Sequence, residues 1–497
     1  MIKIHPLDIL VILIYFILVT VVGVRLSRYQ TDSRAYFLGN RNIPWWAVSL
    51  SVVATETSVL TFIGVPALSY ATNMQFLQLT FGYLSARILL AVFFLPVYLK
   101  EDMYTVYGYL SQRFGPLTRH CAAGLFFVTQ VLGSGVRLYA AALVVATLLG
   151  WQDTTAAVVI IAGITILYTW AGGISAVIWT DVLQAGIMIG GGVLALCLLA
   201  GMFPEGVLDV LSRAAAEGKL KVMDLSFQIS NTYTLWSGVI GGTFLGMASH
   251  GTDQVLAQRL LTSRNLRDGR KAIVSSAFII IPQFLLFLLI GVLLYYYYQA
   301  HPGDLHVQNA DRIFPQFIVD HFPPLACGIV IAAMLAAAMS TLSSGLQALT
   351  SSAVMDVLRP LSKVIRPPEE YLKQSRVVTI FWGAVLIWVA FAAGDWGPVL
   401  ETGLTVASFT YGPLLGLFLL GFFTPVSSQI AVSAAAATGL AGLILSVKFF
   451  GLPPYTWYVT TGCLITVVIG VLIHKISGSA SPCRKGNPGM KGEGHET

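Results

Sequence analysis

The chain has 497 residues, of which 56% are hydrophobic and only 10% charged, with a mean hydropathy of +0.77. Soluble domains carry about 25% charged residues, so a soluble enzyme with an added anchor is excluded and an all-α polytopic membrane protein is expected. The net charge of +6 does not point to nucleic acid, because the basic residues fall in short loops between apolar segments.

Segments long enough to cross a bilayer occur near 7–26, 46–71, 76–99, 121–149, 154–171, 182–203, 235–252, 272–299, 325–355, 377–395, 400–423, 428–450 and 456–474. They are numbered one to thirteen below. The first has no small-residue cleavage site and no strongly basic start, and is expected to be retained rather than removed as a signal peptide. Segment two carries Gly64 and Pro66 in its second half, and segment seven carries Gly238, Gly241, Gly242, Gly246 and Gly251. Interrupted segments at matching places in two halves point to a transporter site; glycine-mediated packing is the alternative. The five cysteines, Cys121, Cys197, Cys327, Cys463 and Cys483, show no paired spacing, so neither a disulfide framework nor a metal site is read from them.

Lys and Arg set the orientation. Arg25, Arg28, Arg34 and Arg41 follow segment one; Lys100, Arg113 and Arg119 follow segment three. Arg259, Arg264, Arg267, Arg270 and Lys271 follow segment seven, and Arg359, Lys363, Arg366, Lys373 and Arg376 follow segment nine. With Lys475, Arg484, Lys485 and Lys491 after the last segment, the basic loops all follow odd-numbered segments. The amino terminus is therefore expected outside and the carboxyl terminus inside, in a plasma membrane (the inner membrane in a bacterium). The 476–497 tail, rich in Gly, Lys and Glu, is expected to be disordered.

Ionisable groups at membrane depth are functional candidates by default. Glu56, among Thr55, Thr57, Ser58 and Thr61, lies in segment two, Arg87 in segment three, Arg137 in segment four and Asp181 at the start of segment six. His250 and Asp253 end segment seven. Glu56 either lines a solute cavity or makes an internal salt bridge with Arg87 or Arg137. A free Arg137 facing a cavity would suit a carboxylate-bearing solute. Segment nine reads LACGIVIAAMLAAAMSTLSSGLQALTSSAVM, and Ala337, Ser340, Thr341 and Ser344 form one helical stripe. That stripe is either a small-residue packing face or a set of hydroxyls facing a hard cation. No His-Glu-x-x-His, Gly-x-Ser-x-Gly or Walker-type motif is present, which argues against an enzyme.

Several motifs are similar to those of the sodium:solute symporter family, which includes sodium/glucose, sialic acid and monocarboxylate transporters. They are Pro44-Trp45-Trp46; Ala54-Thr55-Glu56-Thr57-Ser58 with Thr61-Phe62-Ile63-Gly64; Arg113-Phe114-Gly115; Tyr168-Thr169-Trp170-Ala171-Gly172-Gly173-Ile174 with Trp179-Thr180-Asp181; Asp253-Gln254 with Gln258-Arg259; and the hydroxyl-rich helix from Ala337 to Ser344. The resemblance covers roughly residues 5 to 475. It implies a leucine-transporter-type core of two inverted five-helix repeats. Residues 1–45 would hold the first helix and an inner loop, 46–203 the first repeat, 204–427 an outer loop and the second repeat, and 428–475 the last two helices.

The resemblance also implies a main sodium site of the carbonyls of Ala54, Thr57 and Ala337 with the hydroxyls of Ser340 and Thr341. A second sodium site would use Asp181, Ser343 and Ser344. The solute would lie near Glu56, Ser58 and Thr61, with Phe76, Thr80 and Arg137 beside it. Gly246-Met247-Ala248-Ser249-His250 and Thr80 replace the groups that grip a sugar in glucose-transporting relatives. The arginine at 137 matches sialic-acid-transporting ones. The expected function is sodium-coupled import of a small organic solute of the sugar, sialic acid or carboxylate class by alternating access. Sodium is the coupling ion, and no organic cofactor, nucleic acid or obligatory protein partner is expected. A proton-coupled symporter of the same fold and a transporter-like solute sensor are the alternatives.

Overall fold

A computed structural model describes residues 5–27, 33–100, 103–151, 153–306, 309–362, 367–451 and 454–476. Apart from Ile476, the expected disordered tail lies outside the described residues. Among those described there are helices, connecting turns and one isolated bridge between Ile43 and Ser263, and no strand.

Ten helices are long and apolar enough to cross a membrane, and an eleventh span forms if the bent pair Trp45–Glu56 and Val59–Ala71 is taken as one. Lipid-facing positions are apolar: the Pro368–Ala392 helix exposes Val377, Phe381 and Trp388, which only hydrocarbon would solvate without penalty. This is a multi-pass membrane protein. Two segments account for the difference from thirteen. Segment five is a short apolar stretch, Thr155–Leu167, within a continuous Thr155–Ala200 assignment that turns at Gly173. Gly173 has φ +58°, a conformation that disfavours any Cβ. Segment seven is divided into a π-helical turn at Ser237–Gly241, a helix at Gly242–Met247 and a second π-helical turn at Ala248–Thr252.

The breaks do not fall where Gly64 and Pro66 pointed. Pro66 lies inside the Val59–Ala71 helix, and a Cβ on Gly64 would come 2.5 Å from Leu400 Cβ, so this glycine admits the Val399–Phe423 helix. The chain instead opens at Thr57 (ψ 81°) and Ser58 (ψ 174°), with a 55° bend. Segment seven opens at Asp253 (ψ 125°) before the short Gln254–Leu261 helix. Both breaks restart in the same way. Ser58 Oγ accepts from Leu60 N at 3.2 Å and Asp253 Oδ1 from Val255 N at 2.7 Å, each capping the next helix.

The glycines upstream in segment seven serve packing. Added Cβ atoms on Gly238, Gly242 and Gly246 would lie 2.6 Å from Gln78 O, 2.8 Å from Leu79 O and 2.6 Å from Ala86 Cβ. Their spacing of four lays one bare stripe of segment seven on segment three.

Candidate functional site

The break in segment two frees carbonyls. A continued helix would donate Ser58 N to Ala54 O and Thr61 N to Thr57 O. Instead Ser58 N bonds Glu56 O at 2.9 Å, and Thr61 N bonds Ser58 O at 2.9 Å. Ala54 O and Thr57 O thus lose their usual helical donors inside a buried stretch. The Thr57 hydroxyl is already satisfied, donating to Val53 O at 2.7 Å and accepting from Gln283 Nε2 at 2.6 Å.

The Ala326–Ser352 helix brings its hydroxyl stripe to this break. Thr341 Oγ1 donates to Ala337 O at 3.0 Å and lies 3.4 Å from Thr55 O. Ala337, Ser340 and Ser344 are fully buried and Thr341 is 4% exposed. The five atoms expected around sodium come from these two elements, and all are oxygens. A small hard cation takes such a set.

The residues expected at a second sodium site are only partly brought together, and around a different cation. Asp181 Oδ1 accepts from Ser340 Oγ at 2.5 Å; Oδ2 accepts from Ser51 Oγ at 2.6 Å and from Arg259 Nη2 at 3.0 Å. Arg259 also reaches Ser51 Oγ through Nε at 2.9 Å and donates to Ser344. The Arg259 and Asp181 side chains are 1% and 0% exposed. Ser343 takes no part, and its hydroxyl donates to Ser340 O at 3.1 Å. Sequence placed Arg259 with the inner-loop cations, but it is a buried structural guanidinium on the helix after the second break. Arg119, counted the same way, pairs with the buried Asp356 at 2.7 Å.

A cavity lies against the first break. Glu56, Ser58, Thr61, Phe76 and Arg137 line it, with Thr55 and Thr341 marking its border with the oxygen cluster. Thr80 does not: it is fully buried elsewhere and donates to Leu77 O at 2.7 Å. Glu56 pairs with Arg87, not Arg137. The Arg137 guanidinium folds over its own helix, so that a Cβ on Gly133 would lie 3.0 Å from Nη1. Among the described residues it has no hydrogen-bond or ion-pair partner, and its Nε is buried without one. It is a cation at the edge of a cavity that Asp253 also lines, with its hydrogen-bonding nitrogens unmatched among the described residues.

Sequence reasoning passed over other lining groups. Gln130 is two turns before Arg137 on the same helix face, a polar residue in an apolar run that could have been flagged. Tyr411 donates to Asp253 Oδ2 at 2.6 Å, a contact across 158 residues with no local signal. His250, already a candidate as an ionisable group at the end of segment seven, lines the cavity with Ser249.

Residues 36–449 match the sodium:solute symporter family. The sodium/sialic acid symporter SiaT of Proteus mirabilis is 29% identical over 446 residues, covering 87% of this chain and 86% of that protein. The human sodium/iodide cotransporter is 29% identical over 423 residues, covering 83% of this chain and 64% of its own length. Mouse sodium-coupled monocarboxylate transporter 1 is 30% identical over 418 residues, covering 83% of this chain and 68% of that protein. Among solved structures, a substrate-bound, outward-open Na+-coupled sialic acid symporter superposes with a TM-score of 0.87 at 26% identity, covering 95% of this chain and 98% of the other. Mhp1, a nucleobase-cation-symport-1 family transporter in a closed conformation, shares the fold at a TM-score of 0.56 and 14% identity, covering 89% and 94%.

Proposed function

The chain belongs to the sodium:solute symporter family, and we propose that within it this protein imports a small organic anion, with one sodium ion held at the first helix break and the anion on Arg137. Sodium-coupled symport itself follows from the family. The break at Thr57 and Ser58 carries the assignment of the ion. It removes the helical donors from Ala54 O and Thr57 O where the Ala326–Ser352 helix approaches through the Thr341 hydroxyl, with Ser340 the residue before it.

The unpartnered Arg137 supports the anion. The relatives named for iodide, sialic acid and monocarboxylates all carry anions, which agrees with a cationic anchor. Thirteen spans, with segments two to six and seven to eleven as inverted repeats, would place the two capped breaks at matching positions. The amino terminus would then be outside and the carboxyl terminus inside. A second sodium at Asp181, Ser343 and Ser344 is the weaker reading, because Arg259 already holds two of those three residues.

Ser340→Ala tests the ion assignment. Its sodium half-saturation, read from thermal stability titrated with NaCl at constant ionic strength, is expected to rise about tenfold, since one hydrogen-bond-strength ligand contributes about 1–2 kcal/mol. An unchanged midpoint in a well-folded variant would sink it.

A further inference from the structure

The cavity wall facing segment seven has one feature that the proposed anion does not use. Glu56 directs a single carboxylate oxygen at its protein partners. Oε2 takes Arg87 Nη2 and lies 3.4 Å from His250 Nε2. Arg87 is spent in turn: Nε donates to Ser276 Oγ at 3.0 Å, Nη1 to Tyr83 O at 3.2 Å, and Nη2 lies 3.2 Å from His250 Nε2. His250 Nδ1 is held by Ser249 Oγ at 2.8 Å. Glu56 Oε1 has no partner among the described residues. Its side chain is 12% exposed and lines the cavity, whereas Arg87, at 1%, stands behind it. Glu56 is therefore neutralised from the protein side and offers one acceptor to the cavity.

We infer that the solute is a hydroxylated carboxylic acid, with its carboxylate on Arg137 and a hydroxyl donating to Glu56 Oε1. This rests on the reading of Arg137 as the anion anchor and adds the solute class. A bare anion would leave Oε1 unanswered when water is excluded, and a site built to meet a hydroxyl discriminates strongly against the analogue without one. An amino acid fits less well. Arg87 already balances the Glu56 charge, and both oxygens of the cavity's other carboxylate, Asp253, are taken by Val255 N and the Tyr411 hydroxyl, so an ammonium would be in excess beside Glu56. A neutral donor completes the acceptor and leaves the charge balanced.

The test uses the purified full-length protein in sodium and in potassium buffer. Apparent affinities are read from thermal stability for two matched pairs, propionate with lactate and hexanoate with gluconate, alongside N-acetylneuraminate, iodide, alanine and inositol. In sodium, the hydroxylated member of a pair is expected to bind roughly ten- to a hundredfold tighter, the range for a hydrogen bond to a charged group. In Glu56→Gln the members of a pair should come within about threefold of each other. The wild-type comparison needs no variant to fold. Equal affinities within both pairs, or tighter binding of iodide or alanine than of any hydroxy acid, overturn the inference and leave the anion anchor standing. Sodium-dependent binding of inositol with no response to any anion overturns the anchor itself, and the inference falls with it. Silence from every compound overturns both.

Discussion

Replacing Arg259 with methionine would expose what the buried Asp181 cluster needs. The substitution keeps the length of the side chain and removes its charge. It leaves a carboxylate that is 0% exposed, with hydroxyl donors from Ser340 and Ser51 and no cation. Removing one partner of a buried ion pair costs about 3–5 kcal/mol, so in potassium the variant should denature well below wild type. Sodium should then act differently on the two proteins. The orphaned cluster contains Asp181, Ser51, Ser340 and Ser344, all oxygen donors, and an ion binding only the folded state at a hundred times its Kd restores about 2.7 kcal/mol.

The assay is thermal denaturation of wild type, Arg259→Met and the double variant Asp181→Asn with Arg259→Met, each in sodium and in potassium at equal ionic strength. The sodium-dependent gain should be largest in Arg259→Met. It should fall back to the wild-type value or lower in the double variant, where the anion is gone. A loss in potassium of under about 1 kcal/mol, the size for an exposed pair, would refute the view that this guanidinium is the cluster's cation. So would an equal sodium gain in wild type and Arg259→Met.

The two arginines nearest the cavity should behave in opposite ways. Arg87→Met leaves Glu56 buried against His250 without its counter-charge and should lose about 3–5 kcal/mol of stability. Arg137→Met breaks no hydrogen bond or ion pair among the described residues, so it should lose much less stability than Arg87→Met while anion-dependent stabilisation disappears; comparable destabilisation of both variants would contradict the assignment of Arg137. At the interface of segments three and seven, a Cβ on Gly82 would lie 2.3 Å from Gly238 O and 2.6 Å from Gly242 C. Gly82→Val is expected to lose most folded protein in size-exclusion chromatography, because backbone cannot yield as a side-chain end can; a normal monodisperse yield would count against this close approach.

What was legible in the sequence depended on how local its cause was. The hydroxyl stripe of segment nine is a matter of helical spacing, and the structure buries all of it. The charged residues of segments two to four stood out because a bilayer penalises them, but which of them pair depends on three helices meeting. Arg87 takes Glu56, and Arg137 is left over. Gly64 and Pro66 misled as break signals because a bare position can admit a neighbour, here Leu400, as readily as end a helix. The capping residues Ser58 and Asp253 were the better local signal. Arg259 was misplaced because counting charge cannot distinguish a loop cation from one drawn inward by an aspartate 78 residues earlier.

On this assignment the ion and the solute are coupled by one short piece of backbone. Thr57 O belongs to the sodium site, Glu56 immediately before it faces the solute, and Ser58 immediately after it caps the next helix. An ion that fixes the carbonyls of Ala54 and Thr57 also fixes the direction of the Glu56 side chain and the entry angle of the Val59–Ala71 helix, which bears Thr61. The solute, by engaging Glu56 and Thr61, favours the same backbone. Each ligand then raises the affinity for the other by the same factor, without a long pathway between two separate sites. The second break lends a fixed wall to this arrangement. His250 touches Glu56 and Arg87 from the π-helical turn before it, and Asp253 at the break itself is tied to Tyr411 of the Val399–Phe423 helix. Movement of the Gln254–Leu261 helix would therefore strain the solute wall through His250 and the Asp181 cluster through Arg259. One short helix thus bears on both proposed ligand sites.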